Sequence, residues 1–313
     1  MTLSLFLFFI GFYVLVKGAN WLVDGASSLA RRLNIPGIII GLVIAGIGTS
    51  IPEFAVTFFS NLTGEGGIGL GTVVGSNTFN ILFILGFTAL AFRLPFRTEW
   101  VERDLWWNML AVAIVLVFAL PGANGISRLE GVFMLLIFGA WIYVVIRQSN
   151  QMEETAEPEI RLLTFPIALG FILAGLVGVV IGGKWVVDGA VVFARALGTS
   201  EQLIGLTIVG IGTSLPELAV TFVAAYKGRM GIAIGNIIGS NIFDFLMILG
   251  FAALFKPISF PQDAFFDGIV TLFSAALLYG SMFVGEPLVL KRWQGLVFVF
   301  LYVVYLVYIL GRG

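Results

Sequence analysis

Gly41-Leu-Val-Ile-Ala-Gly-Ile-Gly-Thr-Ser-Ile-Pro-Glu53 returns as Gly205-Leu-Thr-Ile-Val-Gly-Ile-Gly-Thr-Ser-Leu-Pro-Glu217, and this repetition decides the fold. The offset is 217 − 53 = 164. Gly75-Ser-Asn-Thr-Phe-Asn80 and Gly239-Ser-Asn-Ile-Phe-Asp244 keep it, since 244 − 80 = 164. Trp21-Leu-Val-Asp-Gly-Ala26 and Trp185-Val-Val-Asp-Gly-Ala190 keep it too. A register without gaps across three separated pairs identifies two copies of one structural unit.

The medium around these copies follows from composition. The chain is 59% hydrophobic and only 11% charged, with a mean hydropathy of +1.05, well outside the soluble range. It reads as an all-α integral membrane protein. A net charge of −1 on so few charged groups excludes nucleic acid as a partner. The chain has no cysteine and no histidine. Disulfides, thiolate metal sites and imidazole proton relays are therefore ruled out, and any metal must be held by oxygen, which favours hard ions such as Na⁺ and Ca²⁺.

At about 20 apolar residues per crossing, ten segments are predicted near 3–30, 36–61, 68–92, 104–120, 127–147, 162–194, 200–226, 231–255, 264–283 and 289–311. The first has no cleavage-site pattern and continues through Lys17, so it reads as a spanning helix. Residues 1–147 make the first five-helix repeat, 148–160 a short polar cytoplasmic linker, and 161–313 the second repeat. Five crossings per copy is odd, so the second copy enters from the opposite side and the repeats are inverted. Repeats of this kind place substrate sites near the midplane, where interrupted helices meet. With the N-terminus outside, eleven loop Lys and Arg residues fall on the cytoplasmic side and four on the outer side, which places both termini outside. A prokaryotic plasma membrane is the expected location.

An ionised residue near the bilayer centre costs roughly 2.5–3.5 kcal/mol on insertion scales, so an intramembrane carboxylate marks function. Glu53, Glu217 and Asp244 are the three placed deepest. Each Glu follows Gly-Thr-Ser-x-Pro. Pro52 and Pro216 cannot donate a backbone hydrogen bond and clash with the carbonyl four residues back, so the helix breaks beside the acid. Carbonyl oxygens and the hydroxyls of Thr49, Ser50, Thr213 and Ser214 are then directed at one spot, and broken backbone at this depth must line a polar cavity. Ser76 and Asn80 are four apart, as are Ser240 and Asp244, so each pair shares a helical face. Small residues at Gly71-x-x-x-Gly75 and Gly235-x-x-x-Gly239 allow close helix approach. Three carboxylates match about three monovalent cations, whereas one divalent ion leaves surplus negative charge, and Asp244 is the acid expected to take up a proton.

The paired Gly-x-Gly-Thr-Ser-x-Pro-Glu motifs, each followed by Gly-Ser-Asn-x-Phe-Asn or Gly-Ser-Asn-x-Phe-Asp, resemble the alpha repeats of the cation/calcium antiporter superfamily, in its prokaryotic sodium/calcium exchanger branch. The likeness covers nearly the whole chain. It implies a ten-helix antiporter, not an enzyme, that exchanges Na⁺ for Ca²⁺ without a cofactor. Glu53, Glu217 and the carbonyls of Thr49 and Thr213 would hold the central ion. Ser50, Ser76, Ser214 and Ser240 would serve flanking sodium sites, with Asn80 and Asp244 between them. One departure is Thr72, where the second copy has Asn236 and the family usually has Asn. No protein partner is implied, and a monomer in the lipid bilayer is expected. Divalent antiport coupled to H⁺ or K⁺ is the alternative, with a passive cation channel behind it.

Other polar residues carry blander readings. Asn77 and Asn241 read as interhelical hydrogen-bonders, and Thr57 and Thr221 divide evenly between structure and site. Asp24 and Asp188 read as structural, near Lys17 and Lys184. Gly11, Gly18, Gly170, Gly175 and Gly182 give the first and sixth helices a surface suited to sliding against the motif core.

Overall fold

The computed structural model describes residues 2–120, 125–149, 162–198, 204, 208, 210–260 and 262–312. These form α1 (Thr2–Leu33), α2 (Gly37–Thr49), α3 (Ile51–Thr63), α4 (Gly66–Ala91), α5 (100–118), α6 (Arg128–Ser149), α7 (Phe165–Ala196), α8 (Leu215–Tyr226), α9 (Met230–Phe255), α10 (Gln262–Ser281) and α11 (Arg292–Arg312). Nearly all of this is helix, as a chain in hydrocarbon must satisfy every backbone polar group internally.

Among the described residues, seven helices are long and apolar enough to cross a membrane, and the bent pair α2–α3 makes an eighth. The expected crossing near 104–120 differs from a plain apolar helix. It begins with π-helical turns at Trp100–Leu105 that carry Glu102, Arg103 and Asp104. Arg103 grips Asp104 through two hydrogen bonds of 2.7 and 2.9 Å, with both side chains buried. The segment near 200–226 contributes Leu215–Tyr226 and a short turn at Gly210–Gly212, while most of residues 199–209 lie outside the described set, as do 150–160 of the expected linker and residue 161 after it.

Each of α1 and α7 is 32 residues long, about 48 Å at 1.5 Å per residue, so they exceed the hydrocarbon thickness and must tilt. They lie along each other with backbones in contact. A Cβ on Gly18 would stand 2.7 Å from the Val179 nitrogen, one on Gly175 would stand 2.5 Å from that of Leu22, and one on Gly182 would stand 2.4 Å from that of Leu15. Gly11 is part of the same seam, but Gly170 has no described atom within 4 Å of such a Cβ.

The core is α4 and α9, whose apolar windows are 78% and 83% buried against 33% and 28% for α1 and α7. Gly231, Gly235 and Gly239 recur every four residues on α9 and form a groove into which α2 sinks. A Cβ on Gly235 would meet the Ile38 carbonyl at 2.6 Å, and one on Gly239 would meet that of Leu42 at 2.1 Å. The close approach expected at Gly235-x-x-x-Gly239 is therefore present. A Cβ added at Gly71 or Gly75 would meet no described atom within 4 Å outside its own stretch of helix, and residues 202 and 206, which stand at the repeat offset from Ile38 and Leu42, are outside the described set.

Two short backbone clasps close the bundle. Leu94 pairs with Leu290 and Pro95 with Val289 in a two-stranded antiparallel ladder, β1 (Leu94–Pro95) and β2 (Val289–Leu290). Ile126 pairs with Ile258 in an isolated bridge. Here 258 − 94 = 164 and 290 − 126 = 164, so the clasps exchange under the same offset as the sequence motifs. Asn61, at the end of α3, adds a further tie. Its buried amide donates to the Ala252 and Lys256 carbonyls at 2.9 and 2.7 Å, satisfying the last turn of α9. Asn61→Ala removes both bonds, leaving Ala252 with the Lys256 N–H at 3.3 Å and the Lys256 carbonyl without the Asn61 donor, and is expected to lower stability by about 1–3 kcal/mol, measured by thermal unfolding in detergent.

Candidate ion-binding site

The break between α2 and α3 is where the prolines predict it. The two helices meet at 46°, and Ser50 between them leaves helical geometry with φ −79° and ψ 8°. Ser214 does the same before α8, with φ −90° and ψ 7°. Glu53 and Glu217 consequently fall in the first turns of α3 and α8, where the unpaired N–H groups of a helix start favour negative charge. Both are 1% exposed.

The breaks face one another. Ser50 Oγ donates to Glu217 Oε1 at 3.5 Å, and Ser214 Oγ donates to Glu53 Oε1 at 3.4 Å. The Thr213 hydroxyl, next to Ser214 in sequence, is buried with no hydrogen-bond partner among the described residues. Each half therefore supplies the hydroxyl that steadies the other half's acid. Thr49 Oγ1 donates back to the Ala45 carbonyl at 3.0 Å and lies 3.2 Å from Asn236 Oδ1 and 3.4 Å from Ser240 Oγ. Ser240 Oγ donates to the Gly46 carbonyl at 3.0 Å, and Ser76 Oγ to that of Val73 at 3.1 Å. With those protons spent on carbonyls, the oxygen lone pairs remain available to a cation.

Asp244 and Asn80 sit in π-helical turns, Phe243–Ile248 in α9 and Phe79–Leu85 in α4. Turns of this kind widen the helix and redirect side chains, and they recur at functional sites. The four-residue face rule therefore does not run unbroken from Ser76 to Asn80. Asp244 Oδ2 accepts from Asn77 Nδ2 at 2.9 Å. Asn80 Nδ2 donates to Asn241 Oδ1 at 3.0 Å. All ten predicted residues thus gather around the α2–α3 and α8 breaks and the α4–α9 contact. Asn77 and Asn241 are the interhelical bonders expected of them. Thr57 donates to the Gly69 carbonyl at 3.2 Å and Thr221 accepts from Asn236 at 2.9 Å, so both bond within the protein.

Thr72 and Asn236 behave differently. Asn236 Nδ2 reaches the Glu217 carbonyl at 3.2 Å as well as Thr221, tying α9 to α8, whereas Thr72 bonds only to Ile68 of its own helix. Asp24 is held by Lys227 of α8's end at 2.8 Å instead of by Lys17, which lies over the Tyr13 ring, while Asp188 does pair with Lys184 at 2.6 Å. The sequence reading also passed over Asn236 as a connector and the 2.6 Å bond between Thr78 and Thr271, which joins α4 to α10. A hydroxyl or amide inside a strongly apolar helix is the signal that marks such residues.

The electrostatics follow from what is left unpaired. Glu53 Oε2, Glu217 Oε2, Asp244 Oδ1 and Asn80 Oδ1 are buried and have no hydrogen-bond partner among the described residues. The three acids repel one another, and no Lys or Arg pairs with them among the described ion pairs. Burying unmatched acceptor oxygens costs several kcal/mol. Among the described residues no three His, Cys, Asp or Glu side chains stand close enough to hold a metal by themselves, so a cation here would need the hydroxyl, amide and carbonyl oxygens as well as the acids. This mixed set fits Na⁺ and Ca²⁺.

Membrane-length helices packed around a buried, oxygen-lined break define an all-α integral membrane protein. The chain belongs to the sodium/calcium exchanger protein family, whose model matches it twice, over residues 3–147 and 167–311. It is 29% identical to the sodium/calcium exchanger MaX1 of Methanosarcina acetivorans over 98% of both chains. It is 35% identical to the inner membrane protein YrbG of Escherichia coli, over 82% of this chain and 81% of that one. The solved sodium/calcium exchanger from Methanococcus jannaschii superposes with a TM-score of 0.85 at 30% identity, covering 98% of each chain.

Proposed function

We propose that the chain is a sodium/calcium antiporter that exports Ca²⁺ in exchange for Na⁺ by alternating access around a site at the bilayer midplane. The observation that carries this reading is the set of buried, partnerless oxygens on Glu53, Glu217, Asp244 and Asn80, which a cation would satisfy where no Lys or Arg does. The central ion lies between Glu53 and Glu217 with the backbone at Thr49 and Thr213. Ser50, Ser76, Ser214 and Ser240 serve flanking Na⁺ sites, with Asn80 and Asp244 between them. The relative MaX1 is a sodium/calcium exchanger, in keeping with this assignment.

The architecture we infer is ten crossings in two inverted five-helix repeats, residues 1–147 and 161–313, joined by the polar cytoplasmic segment 148–160. Both termini lie outside, in a prokaryotic plasma membrane. The twofold match of the family model, the clasps at the 164 offset and the crossed Ser–Glu bonds support the repeats. The α1–α7 pair is the moving part. Beside the site it packs Leu176 against Gly48 and Val187 against Gly212, two apolar contacts that can slide, while Asp24 and the Asn20 carbonyl bind Lys227 at the end of α8, a tie that the movement must break or carry with it.

The test is radiolabelled Ca²⁺ uptake into proteoliposomes loaded with Na⁺, K⁺ or acid. Accumulation driven by outward Na⁺ alone is expected. Uptake that ignores Na⁺ and follows H⁺ or K⁺ overturns the coupling, and equilibration without accumulation indicates a channel.

A further inference from the structure

Asn77 Nδ2 donates twice, to the Val73 carbonyl at 2.7 Å and to Asp244 Oδ2 at 2.9 Å. Its orientation is therefore locked, because a flipped amide would set Oδ1 against two acceptors. The residue at the same offset, Asn241, is held differently. It accepts from Asn80 through Oδ1, and its Nδ2 has no partner among the described residues. One amide is fixed by its own helix, whereas the other is held only by Asn80 and can turn only if Asn80 turns with it. Within this cluster Asp244 Oδ1, Asn80 Oδ1 and the Oδ1 of Asn77 itself have no hydrogen-bond partner among the described residues.

We propose that Asn77 is a positioning residue for the ion site, which fixes one oxygen of Asp244 so that the other is presented to the transported cation. The proposal rests on the assignment of Asp244 to the ion path. It makes Asn77 specificity-determining in a defined sense: position 244 must accept from Asn77, so only a side chain with oxygens at both tips can also offer an oxygen to the ion. An asparagine at 244 would spend its single oxygen on Asn77 and turn its NH₂ toward the cation. Loss of the acid then costs more than loss of its charge, because a donor is installed where a ligand stood. Asn80 escapes this constraint, since its amide bonds to Asn241 and leaves its oxygen free.

The order of four variants tests the idea in proteoliposomes, with Na⁺-driven Ca²⁺ uptake normalised to monodisperse protein. Asp244→Asn is expected to fall about tenfold below Asp244→Ala, equivalent to one misdirected hydrogen-bonding group. Adding Asn77→Leu to Asp244→Asn removes the donor, lets the amide turn its oxygen inward, and restores uptake to the Asp244→Ala level or above. Asn77→Leu alone raises the half-saturating Ca²⁺ concentration about fivefold, within the range of one lost hydrogen bond. The proposal is overturned if Asp244→Asn equals or exceeds Asp244→Ala, or if the double variant is no better than Asp244→Asn. It is also overturned if Asn77→Leu changes only the melting temperature, which would assign Asn77 to packing. Wild-type protein without Na⁺-driven uptake would instead remove the antiport reading beneath it.

Discussion

Glu53→Gln and Glu217→Gln each reduce Na⁺-driven Ca²⁺ uptake by at least about a hundredfold, corresponding to about 2.7 kcal/mol, while the protein stays folded. The substitutions preserve shape and the first-turn position of each residue. They remove one full negative charge from a site where, among the described ion pairs, no Lys or Arg compensates, and they replace one acceptor oxygen by a donor. A desolvated divalent ion loses a carboxylate ligand that neutral oxygens cannot match. Because burying a neutral amide costs less than burying an unmatched carboxylate, the variants should melt at or above the wild-type temperature. Uptake assays paired with thermal unfolding separate the two effects. Retained exchange in either variant would remove that acid from the site.

Gly239→Val produces the largest structural effect. Any Cβ at 239 would lie 2.1 Å from the Leu42 carbonyl oxygen and 2.6 Å from its Cα, so α9 must leave α2. The neighbouring Ser240 would lose its bond to the Gly46 carbonyl, and Thr49 would lose its contact with Asn236. A cost of about 3 kcal/mol is expected, the upper end for overpacking, together with loss of uptake. Gly139→Ala is the contrast. Gly139 lies within α6 with no described atom near its Cβ position, so the change should stabilise by about 0.5–1 kcal/mol through the helix propensity of alanine. Chemical unfolding followed by circular dichroism distinguishes the two. Equal stability would show that α2 does not depend on the glycine groove.

Much of the site is legible because its chemistry is covalent and local. Pro52 and Pro216 cannot stand inside an unbroken helix without kinking it, so the 46° bend between α2 and α3 and the helix starts that carry Glu53 and Glu217 follow from sequence. The spacing of Gly235 and Gly239 likewise points to a close helix contact, which the structure holds there, whereas the same spacing at Gly71 and Gly75 meets no described atom. The π-helical turns at Asn80 and Asp244 are not written this way, since they arise from how α4 and α9 settle against their neighbours. The crossed hydroxyl bonds, Ser50 to Glu217 and Ser214 to Glu53, are also invisible to a linear reading. They join residues 167 and 161 positions apart. Asp24 shows a similar limit: Lys17 is nearer in sequence, but Lys227 arrives from another helix with better geometry.

The clasps escaped notice for a different reason. Leu94, Ile126, Ile258 and Leu290 are ordinary apolar residues at helix ends, and two-residue ladders have no pattern of alternation to detect. Only the offset of 164 marks them, and only once the pairing is known.

The claim that a transported cation sits between Glu53 and Glu217 is tested most directly by anomalous diffraction from crystals of this protein soaked in Sr²⁺ as a Ca²⁺ substitute. A single strong peak is expected within coordination distance of both carboxylates, falling in height as Na⁺ in the soak is raised. A peak elsewhere in the molecule, or one indifferent to Na⁺, would contradict the account.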